Sequence, residues 1–144
     1  MPKVSGSHLI VESLKKEGIK NLFILAGDHI LPVLDVMEDF DFKFYDTRHE
    51  QSAVHMADAW NRITGQPGVS MVTTPGHANA IPGLANALHH ESAVVHISGS
   101  AESENLGMGS MQEIDQIGMA APVVKGAWQI PSVARIPEYI AMAF

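Results

Sequence analysis

The sequence Asn-Leu-Phe-Ile-Leu-Ala-Gly-Asp at residues 21–28 decides the fold class of this chain. Its uninterrupted apolar run is short enough for a strand that is buried on both faces, as strands of a parallel sheet are. The run ends at Gly27-Asp28, which is typical of a turn. We therefore predict a central parallel strand over residues 21–26.

Helical and strand patterns alternate on both sides of this run. We predict helices at residues 7–17, 30–38, 50–63, 77–89 and 113–119 and from about residue 132, and further strands at residues 42–45, 69–73, 93–98 and 123–128. This alternation predicts one α/β domain over residues 1–144, with a doubly wound, mostly parallel sheet and helices on both faces. Ligands of such sheets bind at the carboxyl ends of the strands, so the loops that follow the strands hold the candidate site.

The composition limits the classes of partner. The chain has 144 residues, a formal net charge of −7 and only 9 Lys and Arg residues, which argues against a nucleic-acid-binding surface. No apolar run approaches the roughly 20 residues of a membrane span, and the amino-terminal residues 1–5 lack the apolar core of a signal peptide. Cysteine is absent, which permits a reducing compartment. We expect a soluble, cytoplasmic protein that binds neither nucleic acid nor membrane.

Three familiar functional motifs are incomplete or absent. His49-Glu50 begins like the helix of a zinc protease, but Ala53 stands where the second histidine is required. The stretch at residues 107–112 begins like a dinucleotide fingerprint, but Gln112 replaces its third glycine. No phosphate-binding loop with Gly-Lys-Ser/Thr occurs. We therefore predict no metal site in this domain.

Glu50 has two interpretations. The sequence Thr47-Arg48-His49-Glu50 has the form of a capping box, in which Thr47 and Glu50 would satisfy backbone donors at a helix start. Alternatively, a glutamate at a strand-to-helix turn can be catalytic. Capping boxes are the commoner case, so the residue types alone leave both interpretations open.

The stretch Arg-His-Glu-Gln-Ser-Ala at residues 48–53 resembles the Arg-His-Glu-Gln-x-Ala segment in the amino-terminal domains of acetolactate synthases and related thiamine-diphosphate enzymes. Further similar stretches follow the family's order and spacing at residues 27–35, 64–69, 83–88, 99–100 and 109–116. Met111 replaces the usual aromatic residue in the last of them. Residues 73–79 are similar to the family's Thr-Ser-Gly-Pro-Gly-x-x-Asn turn, shortened by one residue. The resemblance covers nearly the whole chain.

The resemblance implies that thiamine diphosphate binds between this pyrimidine-binding domain and a diphosphate-binding domain of another subunit or chain. Glu50 would be catalytic, sharing a proton with N1′ of the aminopyrimidine. Gln112 matches a polar residue that faces the substrate. The positions that match the pyrimidine side of the family's site are Gly27, Glu50, Thr73, Pro75, Gly76 and Asn79.

The resemblance also implies a reaction class: decarboxylation or carboligation of small 2-oxo acids, or related lyase chemistry on acyl substrates, by a homo-oligomer. No Gly-Asp-Gly motif with a downstream Asn occurs, so we assign Mg²⁺ and the diphosphate to a domain outside this sequence. The chain is expected to lack the family's last strand, to be truncated, and to be inactive alone. A noncatalytic α/β interaction domain that has lost its cofactor partner is the alternative.

Overall fold

The computed structural model describes residues 4–144 and contains a four-stranded parallel sheet. Residues 1–3, the start of the segment in which no signal peptide is predicted, lie outside the described part. The strands β1 (Asn21–Ile24), β2 (Lys43–Asp46), β3 (Gly68–Val72) and β4 (Val94–Ser98) lie in the order β2-β1-β3-β4. Each neighbouring pair is parallel. The predicted α/β class and the central position of the first apolar run are confirmed.

Helices cover both faces of this sheet. They are α1 (Gly6–Lys16), α2 (Leu31–Met37), α3 (Glu50–Thr64), α4 (Gly76–His89), α5 (Gln116–Ala120) and α6 (Ile136–Ala143). Helices α1, α2 and α6 bury apolar side chains against Leu22 and Ile24 of β1, whereas Phe23 packs against α3 on the opposite face. None of the helices that the structure describes is long and apolar enough to cross a bilayer.

Two glycines explain how α3 ends and how β3 returns beneath it. Gly65 caps the helix with a φ of 72°, a left-handed conformation that glycine adopts without the clash of a Cβ atom. A Cβ atom at Gly68 would lie 2.0 Å from the carbonyl oxygen of Ala57, so only glycine allows this close approach of strand and helix. Both faces of β3 are consequently buried.

The predicted strand at residues 123–128 is wrong. Val123 ends a short 3₁₀ turn at Ala121–Val123, and no residue from 124 to 130 pairs with the sheet. Val123 and Val124 pack instead against the cluster that Val54 and Leu84 form between α3 and α4. The two valines thus bury their apolar surface on helices, and burial of this kind cannot be told from strand burial by sequence pattern alone.

Two helix starts also differ from the prediction. The helix expected from residue 113 begins at Gln116, because the Glu113 carboxylate accepts the backbone N–H groups of Gly107 and Ser110 and holds this segment in a turn. The last helix begins at Ile136, after a 3₁₀ turn at Val133–Arg135, rather than near residue 132.

Candidate functional site

The turns after β2 and β3 bring three of the predicted site residues together. Glu50 is the first residue of α3, and the Asn79 side chain on α4 donates a hydrogen bond from Nδ2 to Glu50 Oε2 at 2.9 Å. Gly76 begins α4, and a Cβ atom at this position would lie 2.4 Å from Glu50 Oε1. The carboxylate therefore lies directly against a turn that has room for it only because residue 76 is glycine.

The capping-box interpretation of Glu50 is wrong. The N-cap of α3 is His49, whose Nδ1 accepts the backbone N–H of Gln51 at 3.3 Å. Thr47 is buried, and its hydroxyl lies 3.0 Å from the carbonyl oxygen of Ile24 on the neighbouring strand. Within residues 4–144, the only hydrogen bond that the Glu50 carboxylate accepts comes from Asn79, and none reaches Oε1. Glu50 is thus free of any role in capping its own helix.

Gly27 and Thr73 are also in contact. A Cβ atom at Gly27 would lie 2.3 Å from Cγ2 of Thr73, which follows β3. The Thr73 hydroxyl shares a short hydrogen bond with Nδ1 of His29. His29 was not predicted as a site residue. Its position two residues after Gly27, on the same loop, could have identified it as a candidate. Pro75 is exposed at the N-cap of α4.

Gln112 reaches the same turn through its backbone rather than its side chain. It lies on the loop after β4, and its carbonyl oxygen accepts a hydrogen bond from the Thr74 hydroxyl at 2.8 Å. Its φ of 61° is in the left-handed region, which is uncommon for a residue other than glycine. The Gln112 side chain is exposed, and among the described residues it makes no hydrogen bond to the other predicted site residues.

Two histidines lie behind the site on the α4 side of the sheet, His77 buried and His96 partly buried. The rings of His77 and His96 have centroids 5.3 Å apart, and His96 Nδ1 lies 2.8 Å from Ser70 Oγ. Burial, and to a smaller extent the neighbouring His77, lowers the pKa of His96 to about 3. Burial also lowers the pKa of His77, against a smaller opposing effect of its hydrogen bond to Gln116. Both imidazoles are therefore neutral at pH 7.

A cavity of about 590 Å³ opens beside the carboxyl end of β4. Its lining includes the end of β4, the start of α5 and residues of the loops after β1, β3 and β4, namely His29, Thr74, Ser98, Gly99, Ser100 and Gln116, but neither Glu50 nor Gln112. A volume of this size is typical of sites for small organic molecules. No three histidine, cysteine or acidic side chains within residues 4–144 gather in a way that could hold a metal ion.

The arrangement leaves one oxygen of the Glu50 carboxylate without a hydrogen-bond partner among the described residues. The Asn79 amide fixes one oxygen of the Glu50 carboxylate, whereas the other oxygen remains available to a ligand. A carboxylate held in this way can share a proton with a ring nitrogen at hydrogen-bonding distance.

Comparisons with known proteins show which family the chain resembles. The sequence profile of the family described as "Thiamine pyrophosphate enzyme, N-terminal TPP binding domain" matches residues 4–119. A probable acetolactate synthase large subunit of Methanocaldococcus jannaschii is 36% identical over 142 residues, which cover 98% of this chain and 24% of that protein. The acetolactate synthase isozyme 3 large subunit of Escherichia coli is 36% identical over 146 residues, covering 100% of this chain and 25% of that protein.

A relative with a different name is equally similar. The 2-hydroxyacyl-CoA lyase 2 of Xenopus laevis is 37% identical over 140 residues, which cover 96% of this chain and 22% of the lyase. The chain spans about a quarter of the length of the curated relatives it matches. Similarity over this quarter does not separate the synthases from the lyase.

Proposed function

Because this chain belongs to the thiamine pyrophosphate enzymes, as their N-terminal TPP-binding domain, we propose that it holds the pyrimidine half of thiamine diphosphate. The complete enzyme would make or break a carbon–carbon bond in small 2-oxo acids or acyl substrates, as an acetolactate synthase-like decarboxylase and carboligase. The observation that carries the proposal is the Glu50 carboxylate, which is free of helix capping and lies against Gly76.

The residues at this edge of the sheet fit the cofactor. The glycine at residue 76 lets the Glu50 carboxylate lie against the turn. Among the described residues, none donates a hydrogen bond to Oε1, which leaves that oxygen without a partner for a ring nitrogen to replace. Gly27 allows the same kind of approach beside Thr73. Thr73, Pro75 and Asn79 would complete the pyrimidine side, together with Glu50. The turn that we describe as shortened by one residue therefore still brings its glycine to the carboxylate.

Each residue has a definite chemical task in this proposal. Thiamine diphosphate, when bound, supplies the electron sink that carbon–carbon bond cleavage next to a carbonyl group requires. Glu50 would hold a proton between its Oε1 atom and N1′ of the pyrimidine. Asn79 would orient the carboxylate by its hydrogen bond to Oε2, which is 2.9 Å long. Gln112 would face the substrate from the loop after β4.

The rest of the assembly follows from the same proposal. Residues 1–144 would form one domain of a longer cytoplasmic subunit, and a second domain of another subunit or chain would hold the diphosphate and Mg²⁺. The enzyme would be a homo-oligomer, in which another copy of the same subunit contributes that second domain. A noncatalytic interaction domain does not require a carboxylate that is free of helix capping and held against a glycine, so the structure gives that alternative no specific support.

Gly76→Ala tests the proposal through binding. The added methyl group would lie within 2.4 Å of Glu50 Oε1 and should displace the carboxylate or the ligand. In titrations of the full-length enzyme with thiamine diphosphate, we expect the dissociation constant of Gly76→Ala to rise at least tenfold. Ala59→Ser, on the exposed surface of α3, is the control and should bind as the wild type does. Equal affinities of wild type and Gly76→Ala would overturn the proposal.

A further inference from the structure

The loop that carries Gln112 has little structure of its own. Between the end of β4 and the start of α5 it contains only a 3₁₀ turn at Ser103–Asn105, and most of its residues are exposed. Internal hydrogen bonds from Gly107 and Ser110 to the Glu113 carboxylate shape the loop locally. They do not fix where the loop lies relative to the sheet. The contacts that do so must come from neighbouring elements.

One of these contacts is the Thr74 hydroxyl. Thr74 lies two residues after the end of β3 and is fully buried. Its Oγ1 donates a hydrogen bond to the carbonyl oxygen of Gln112 at 2.8 Å. The preceding residue, Thr73, directs its hydroxyl to His29 on the loop after β1. Consecutive threonines thus tie two different loops to the turn that leads to Gly76 and the Glu50 carboxylate.

The second contact comes from the first turn of α4. Nε2 of His77 donates to the carbonyl oxygen of Gln116 at 3.0 Å, and His77 is only 5% exposed. The Gln116 side chain in turn donates from Nε2 to the carbonyl oxygen of Gly99 at 2.8 Å. The end of the loop is therefore tied both to α4 and to the loop's own beginning.

The backbone conformation of Gln112 requires such support. A non-glycine residue with a φ of 61° is in a costly region, which persists only where the surroundings hold it. The Thr74 hydroxyl binds the carbonyl group of that same residue. Loss of this hydrogen bond would let the backbone relax and move the exposed side chain.

We propose that Thr74 is a positioning residue, whose buried hydroxyl, assisted by His77, fixes Gln112 relative to the Glu50 carboxylate and so sets the affinity for the substrate. This inference deepens the proposed function and rests on it. The Thr74 hydroxyl makes its hydrogen bond to Gln112 and none to Glu50, Gly76 or Asn79. It acts through the backbone of Gln112.

Thr74→Val tests the inference, because valine keeps the shape of threonine and removes the hydroxyl. In the full-length enzyme we expect KM for the 2-oxo acid to rise about tenfold, since small displacements of a substrate-facing group have large effects. The dissociation constant of thiamine diphosphate should change less than twofold, because Glu50, Gly76 and Asn79 are untouched. Amide hydrogen exchange at residues 107–116 should accelerate at least fivefold, and exchange in β1 and β3 should not.

Two further variants serve as controls. Thr74→Ser keeps the hydroxyl and should restore both KM and exchange. Thr64→Val removes a hydroxyl that also donates to a backbone carbonyl, that of Trp60 at 2.7 Å, but at the exposed end of α3. It should change neither quantity. His77→Ala releases the second contact and should accelerate exchange in the same loop, which keeps the test informative if Thr74→Val does not fold.

The outcomes separate this inference from the proposed function. Unchanged exchange at residues 107–116 in both Thr74→Val and His77→Ala would overturn the inference. A loss of cofactor affinity as large as the change in KM would also overturn it, because Thr74 would then act on the cofactor. A wild-type enzyme that does not bind thiamine diphosphate would contradict the proposed function, whereas the exchange measurement would still decide whether Thr74 holds the loop.

Discussion

At the scale of single residues, His96 makes stability depend on pH. Its ring lies between Ser70 and His77, and burial lowers its pKa to about 3, so the folded protein keeps it neutral in mildly acidic solution. In the unfolded chain the same imidazole takes up a proton below about pH 6.5. The unfolded state therefore binds more protons between those pH values, and the free energy of unfolding falls as the pH decreases.

We predict that the wild-type protein loses stability below about pH 6, and that His96→Gln loses less. Each such histidine contributes a slope of about 1.4 kcal/mol per pH unit while only the unfolded state is protonated. His77, whose pKa is lowered in the same direction, should retain part of the dependence. Urea unfolding at pH 7.5, 6.5 and 5.5 measures both slopes. His90→Gln, at the exposed end of α4, is the control, and parallel curves for wild type and His96→Gln would contradict the prediction.

The sequence analysis named Glu50 as the candidate catalytic residue but gave little information about the contacts around it. Glu50 could be named from the segment at residues 48–53, and the structure removes its capping interpretation because Thr47 is buried against β1 instead. Thr74 and His77 gave no signal. Their importance depends on contacts with residues 112 and 116, which lie almost forty positions away in the chain, and no local pattern contains such a distance.

At the scale of elements, the join of α3 and β3 depends on two glycines for different reasons. Gly65 needs its left-handed φ of 72°, but a Cβ atom there would meet nothing within 4 Å, whereas a Cβ atom at Gly68 would lie 2.0 Å from the carbonyl oxygen of Ala57. A side chain at residue 65 would strain the backbone at a modest cost in free energy. A side chain at residue 68 would clash with α3 and force the strand and the helix apart.

We predict that Gly65→Ala lowers the free energy of unfolding by about 1 kcal/mol, and that Gly68→Ala lowers it by about 3 kcal/mol or prevents folding. The two variants carry the same added methyl group, so each is the control for the other. Urea denaturation followed by circular dichroism measures the difference. A Gly68→Ala protein as stable as Gly65→Ala would show that β3 does not lie against α3 as described.

The elements that the sequence predicted correctly have strong local signals. An apolar run ending in Gly-Asp predicted β1, and helical spacing over residues 50–63 predicted α3. The segment at residues 123–128 also begins with apolar residues, yet Val123 and Val124 pack onto α3 and α4 and the segment forms no strand. Whether an apolar segment pairs with a sheet edge or covers a helix is decided by tertiary contacts, which its own sequence does not contain.

At the scale of the whole molecule, our proposal makes the described site one side of a larger one. The chain spans about a quarter of its curated relatives, and within residues 4–144 no group of histidine, cysteine or acidic side chains could hold a metal ion. In our proposal, a second domain holds the diphosphate and Mg²⁺. The four parallel strands position Glu50 at the edge of the sheet, where such a domain would complete the binding site.

We therefore predict that residues 1–144 alone do not turn over pyruvate in the presence of thiamine diphosphate and Mg²⁺. The isolated chain can supply the carboxylate but not the groups that we assign to the second domain. A coupled assay for carbon dioxide release measures the activity, with the full-length enzyme as the positive control. Sustained turnover by the isolated chain would show that it needs no second domain.

The central claim is that Glu50 exchanges a proton with the pyrimidine of the cofactor. Glu50→Gln keeps the size of the side chain and can still accept the hydrogen bond from Asn79, but it cannot take up or release the proton. Glu12→Gln, on the exposed surface of α1, is the matched control. Both variants should unfold at the temperature of the wild type to within a few degrees.

The most direct test is the rate of deuterium uptake at C2 of bound thiamine diphosphate, measured by quenched NMR in the full-length enzyme. We predict that Glu50→Gln slows this exchange by a factor of about a hundred or more, the scale of lost acid–base assistance, and that Glu12→Gln leaves it unchanged. Equal exchange rates in wild type and Glu50→Gln, with the cofactor bound in both, would contradict the account.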